Sequence, residues 1–124
     1  MSDGYRSMRN FYGDLGGSQA VAVGTGDTTL ATCKTNHTVF VQRLHLQVTT
    51  GSSGKTWSIE DSNGVSITGP IPCDTAPMSI ELDYGPIGIA LSAGYNLVLN
   101  VSAAGAIGLV TWDAYQKLTT VAAA

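Results

Sequence analysis

A chain of 124 residues suits one domain and leaves little room for two. Charged residues make up only 12% against 44% hydrophobic, with a net charge of −3, a surface suited to partial cover by copies of itself or by a partner. The six basic residues (Arg6, Arg9, Lys34, Arg43, Lys55, Lys117) are scattered and no apolar run is long enough for a bilayer, so neither nucleic acid nor membrane is expected as a partner.

Residues 1–19 differ from the rest. The segment MSDGYRSMRNFYGDLGG lacks the apolar run of a secretory signal, so synthesis and folding in a cytosol are expected. It carries Gly4, Gly13, Gly16 and Gly17, mixed charges and no sustained period. It also holds Tyr5, Phe11 and Tyr12, three of the chain's nine aromatics, whereas a purely solvated tail is usually poor in aromatics. Two readings stand: a disordered leader, or a flexible arm that orders on a neighbour. In the second, Tyr5, Arg6, Arg9, Phe11 and Tyr12 are the partner-binding residues, and residues 20–124 form the folded domain.

From Ala20 the signals are strand-like. Ala20–Gly24 and Thr28–Lys34 are short β-prone runs about a Gly24-Thr-Gly26-Asp27 turn. His37–Thr50 is the longest strand candidate; from Arg43 it alternates, with Leu44, Leu46 and Val48 on one face and Arg43, His45, Gln47 and Thr49 on the other. Gln42 interrupts the apolar face beside Phe40, which predicts a bend or bulge. Trp57 and Ile59 share a face of the next strand. Asp61-Ser62-Asn63-Gly64 is hairpin-turn chemistry, after which Val65 and Ile67 resume the pattern. Gly69-Pro70-Ile71-Pro72 is expected to end it, since proline has no N–H for a ladder.

Met78, Ile80 and Leu82 alternate with Ser79, Glu81 and Asp83; Ile87, Ile89 and Leu91 follow the Gly85-Pro86 turn. Tyr95, Leu97, Leu99 and Val101 form a further strand, and the last runs from about Ile107 to Leu118 with Val110 and Trp112 on one face. The pattern is all-β with about eight strands and turn signals at roughly 8–12-residue spacing. It predicts a β-sandwich, jelly-roll-like in preference to an immunoglobulin-type one, with Leu44, Leu46, Ile59, Ile80, Leu97 and Leu99 in the core.

Catalysis needs a nucleophile with a base, a carboxylate pair or a metal. Only His37 and His45 offer imidazoles, and His45 falls on a polar strand face. Cys33, His37 and Cys73 lack the paired spacing of a zinc site. Glu60-Asp61 and Glu81/Asp83 read as solvated faces before they read as cation sites. No catalytic residue, metal or cofactor is expected. Cys33 and Cys73 are expected as reduced, buried thiols, with a bridge as the lesser alternative.

Three stretches carry a resemblance: VFVQRLHLQV (Val39–Val48), TWSIEDSNGVSITGPIP (Thr56–Pro72) and GPIGIALSAGYNLVLNV (Gly85–Val101), followed by the β-rich AIGLVTW. With the steps Ile67-Thr68-Gly69-Pro70 and Pro86-Ile87-Gly88 through Leu99, Gly24–Leu118 resembles small structural proteins encoded in tailed-phage virion gene clusters. The resemblance implies a β-sandwich that decorates or cements a virion, with the major capsid protein or other virion proteins as partners. It also implies a homo-oligomer, with a trimer favoured, located on the virion after synthesis in the host cytoplasm. A carbohydrate- or receptor-binding module of a phage tail or fibre is the alternative. It requires exposed aromatics, and Trp57, Trp112 and Tyr95 are the candidates, Trp112 beside Asp113 and Gln116 above all.

Overall fold

The computed structural model describes residues 3–21, 26–102 and 106–119. It contains a helix, α1 (Asp3–Tyr12), and the strands β1 (Gly17–Val21), β2 (Gly26–Ala31), β3 (His37–Thr50), β4 (Thr56–Asp61), β5 (Ile71–Pro72), β6 (Met78–Asp83), β7 (Ile89–Ala90), β8 (Leu97–Val101) and β9 (Ile107–Leu118). One sheet has the order β1-β9-β3-β6, with β7 also on β3; the other has the order β2-β8-β4-β5.

Every pair is antiparallel, and the pairs nest: β1 with β9, β2 with β8, β3 with β6 and β7, β4 with β5. Nested pairing of this kind is one long hairpin rolled upon itself. The β3–β9 and β4–β8 ladders close the roll. This is the jelly roll expected from the strand spacing.

The roll depends on a bulge in β3. Side chains along a strand alternate between faces, so Val39 and Val41 would point opposite to Leu44, Leu46 and Val48. The β3–β9 register shifts between Val41 and Arg43, as Gln42 foretold. The extra residue changes the phase, and all five apolar side chains are buried on the inner face. From the opposite sheet, Trp57, Ile59, Leu97, Leu99 and Val101 meet them. Ile80 is only half-buried, because β6 is an edge strand and covers one flank of the core.

Two glycines set how closely the elements approach. A Cβ on Gly108 would lie 1.8 Å from the Gln47 carbonyl oxygen, so only glycine lets β9 lie against β3 there. Gly88 has φ 82°, and a Cβ on it would lie 2.6 Å from the Val41 carbonyl oxygen, at the bulge.

Three expectations are corrected. Pro72 lies within β5, paired with Thr56; β5 is an edge strand, where a missing N–H costs no ladder bond. Ile87 lies in the loop between β6 and β7 and is exposed, since that loop leaves the sheet at the bulge. A helix occupies residues 3–12, where no period had been read, and β1 begins at Gly17, so the boundary drawn at residue 20 falls inside a strand. Cys33 and Cys73 are free thiols, Cys73 fully buried.

Asp61 is buried at the end of β4. Its Oδ1 accepts the Asn63 and Val65 N–H groups at 2.9 and 3.1 Å, and its Oδ2 accepts the Ser92 hydroxyl at 2.7 Å. It joins the 61–65 turn to the segment entering β8. Burial opposes its ionisation, but the bonds from Ser92, Val65 and Asn63 outweigh burial and hold the carboxyl below its ordinary value.

Leu46→Ala and Leu97→Ala should each lower the unfolding free energy by about 2–5 kcal/mol in urea titrations, and Ile80→Ala by less. Asp61 has a depressed folded pKa. Its contribution is therefore complete above the unfolded-state value, about 3.9, and is lost as pH falls through the folded value. Asp61→Asn should accordingly flatten the acid limb of a stability profile below about pH 4.

Candidate functional site

The outer face of the sheet containing β3 is built of cross-strand layers. Arg43 pairs with Asp113 on one side and Asp83 on the other; His45 lies between Thr111 and Glu81; Gln47 lies between Leu109 and Ser79. Alternation puts these residues outward because their neighbours face the core.

Helix α1 lies over the first layer. Tyr5, Met8, Arg9 and Tyr12 are the partly buried positions, a spacing of three and four that forms one helical face; Arg6, Ser7, Asn10 and Phe11 are exposed. The helix stops at Gly13, whose φ of 127° a side chain would resist and whose N–H donates to the Arg9 carbonyl at 2.9 Å.

Tyr5, Arg9 and Tyr12 each have a partner on the chain's own sheet. The Tyr5 hydroxyl donates to Asp83 Oδ1 at 2.7 Å, and its ring lies 4.3 Å from the Arg43 guanidinium carbon. Arg9 lies 3.4 Å from Asp113 and 3.8 Å from Asp14, and donates to Gln42 Oε1 at 3.2 Å. Tyr12 stacks on Tyr115 at 5.7 Å, and Tyr115 on Phe40 at 5.1 Å. The bond from Tyr5, together with the Gly85 amide, holds the Asp83 carboxyl below its ordinary value; the same bond raises the Tyr5 phenol.

Gln42 is the hub of this arrangement and is fully buried. Its amide nitrogen donates to the Tyr5 carbonyl at 3.1 Å and to the Pro86 carbonyl, while its oxygen accepts from Arg9. The Tyr115 hydroxyl donates to the Ile87 carbonyl at 2.7 Å. The bulge residue thus binds the helix and the β6–β7 loop to one sheet.

Of the five residues nominated from the sequence, Tyr5, Arg9 and Tyr12 are therefore engaged within the chain. Arg6 and Phe11 point away; Phe11 is 81% exposed and Ile87, in the adjoining loop, 66%. The sequence reading missed Gln42, Asp113 and Tyr115 as residues that seat the segment. Their signal was an outward polar or aromatic residue on β3 and β9 opposite the aromatics of residues 1–19.

Beside the helix lies a groove of about 270 Å³ lined by Arg43, His45, Glu81, Asp83, Thr111 and Asp113, with Leu44, Leu82 and Trp112. His45 Nε2 is 2.6 Å from Ser79 Oγ and 4.0 Å from Glu81 Oε1. One nitrogen faces both groups, so the carboxylate does not orient the ring for proton transfer from the serine. Among the described residues, no group of three or more His, Cys, Asp and Glu could hold a metal ion. Trp112 is buried and its indole N–H donates to the Leu15 carbonyl at 2.7 Å; Trp57 is fully buried and Tyr95 is 38% exposed. The aromatics expected of a sugar platform are thus in the core, apart from Tyr95.

In comparisons with known proteins, no protein-family model, curated protein or solved structure matches this chain.

Gln42→Leu preserves bulk but removes the bonds to the Pro86 and Tyr5 carbonyls and the acceptor for Arg9, which keeps Asp113 and Asp14. It should cost about 1–3 kcal/mol in denaturant unfolding. Tyr5→Phe removes a solvent-exposed bond only and should leave the melting temperature nearly unchanged by calorimetry.

Proposed function

We propose that this protein is a non-enzymatic structural component of the decoration or cement type, binding the surface of a tailed-phage capsid. The observation that carries the reading is the exposed side of α1 and the neighbouring loop. Phe11 and Ile87 stand 81% and 66% exposed on a chain with few charges, connected through Tyr12 and Tyr115 to the stacked ring of Phe40. Exposed apolar side chains set on a rigid base, with arginine at hand, are the usual composition of a protein-contact surface. Here Arg6 is that arginine. A rolled sandwich suits such a part because it presents a fixed surface without moving elements.

The groove beside the helix favours a second reading, a carbohydrate- or receptor-binding module. His45, Glu81, Thr111 and Asp113 offer the donors and acceptors that hydroxyl-rich ligands use. The jelly-roll architecture serves both capsid and lectin domains and does not discriminate between the two readings.

Quantitative mass spectrometry of purified virus particles distinguishes them. Shell decoration predicts copies in fixed proportion to the major capsid protein, and Phe11→Asp should weaken attachment to stripped particles at least about tenfold. Absence from particles, or attachment unaffected by Phe11→Asp and Ile87→Asp together, overturns the proposal. Chemical-shift changes at His45 and Thr111 on glycan titration would establish the second reading.

A further inference from the structure

Sheet edges expose unpaired backbone groups, and three of the four edges here are blunted. The β6–β7 edge is broken by the loop carrying Pro86 and bears Glu81 and Asp83; β5 is two residues long and includes Pro72; β2 is bulged between Thr29 and Ala31. The fourth, β1, is regular. It pairs with β9 in unbroken register from Gly17↔Trp112 to Val21↔Gly108, and no charged residue occurs from Leu15 to Gly26.

The hydrogen bonds show which groups on β1 are open. The Leu15 N–H donates to the Ala114 carbonyl at 2.9 Å, and the Gln116 N–H to the Gly13 carbonyl at 3.1 Å. Bonded pairs alternate along an antiparallel ladder, so the odd-numbered residues of β1 bond to β9 and the backbone of Ser18 and Ala20 faces away. Among the described residues, the one bond to those outward groups is from the Gln19 side-chain amide to the Ala20 carbonyl, 3.1 Å.

We propose that β1 is a self-association edge: two copies pair their β1 strands antiparallel about a two-fold axis, Ser18 of each opposite Ala20 of the other. The two sheets then become one continuous sheet. The register places Gln19 opposite its own copy, and an amide side chain is self-complementary because it both donates and accepts. The uncharged run gives no like-charge opposition, which a two-fold contact would otherwise impose on any charged residue at its centre. Ser18 and Ala20 are small and exposed, so nothing bulky stands between the strands. These features select a second copy over an unrelated extended segment. The contact is separate from the α1 surface and does not depend on the capsid reading.

Sedimentation velocity of the full chain should find a reversible dimer. Ser18→Pro deletes one outward N–H and no bond to β9, so it should keep the fold by circular dichroism and weaken dimerisation at least about tenfold. Gln19→Lys and Gln19→Glu should each weaken it by like-charge opposition, and mixing the two should restore a heterodimer. This pair decides the matter even where the proline variant fails to fold. A wild-type chain that stays monomeric from micromolar to millimolar concentration, a folded Ser18→Pro variant that associates as wild type does, or a Lys–Glu mixture no tighter than either variant alone overturns the proposal.

Discussion

The structure depends on one added residue in the longest strand. A strand has two faces and a period of two, so an apolar series that changes parity cannot serve one core. Val39 and Val41 are odd and Leu44, Leu46 and Val48 even, yet all five are buried together because the ladder slips at Gln42. The same slip turns Gln42 and Arg43 toward the outer face. Gln42 then holds α1 and the Pro86 carbonyl, and Arg43 bonds Asp113 at 2.9 Å. The irregularity that completes the core also makes the seat on which the helix rests.

The seat is not held chiefly by its ion pairs. Arg9 is 14% exposed at its side chain, but its partners Asp113 and Asp14 are 32% and 58% exposed, and Arg43 beside them is 41% exposed; pairs with a partner so open to water contribute about 0–1 kcal/mol. The less exposed contacts matter more: the amide of Gln42 with no solvent exposure, and the stack of half-buried Tyr12 and Phe40 on the buried ring of Tyr115. The inner side of α1, with Tyr5, Met8, Arg9 and Tyr12, faces the chain's own sheet and leaves Arg6 and Phe11 exposed. In the proposed role these two would form a preformed contact surface. A partner that meets it loses less conformational entropy than one that must order a free arm.

The edges of the roll follow the same economy of contacts. Three are closed to further pairing by proline, a bulge, charge or shortness, and β1 is left regular and uncharged. The exposed side of α1 and the neutral edge of β1 share no residue, so the two proposed contacts draw on different groups of the chain.

The sequence by itself determined the periodic parts. His37–Thr50 and Ile107–Leu118 stand as strands at the bounds read from it, and five of the six nominated core residues are fully buried. Period, turn chemistry and strand spacing act within a few residues, so they are legible in one dimension. The bulge was legible too, because Gln42 broke an apolar face. The helix was not recognised although Tyr5, Met8, Arg9 and Tyr12 have helical spacing. Its inward face mixes arginine with aromatics, and only Asp113, Gln42 and Tyr115, distant in sequence, give that face something to bind. Asp61 read as a solvated turn residue for a similar reason: Ser92, its partner across the roll, lies 31 positions away. Tertiary structure alone decided whether each polar residue met water or a buried partner, because that depends on which strands the rolled hairpin brings together.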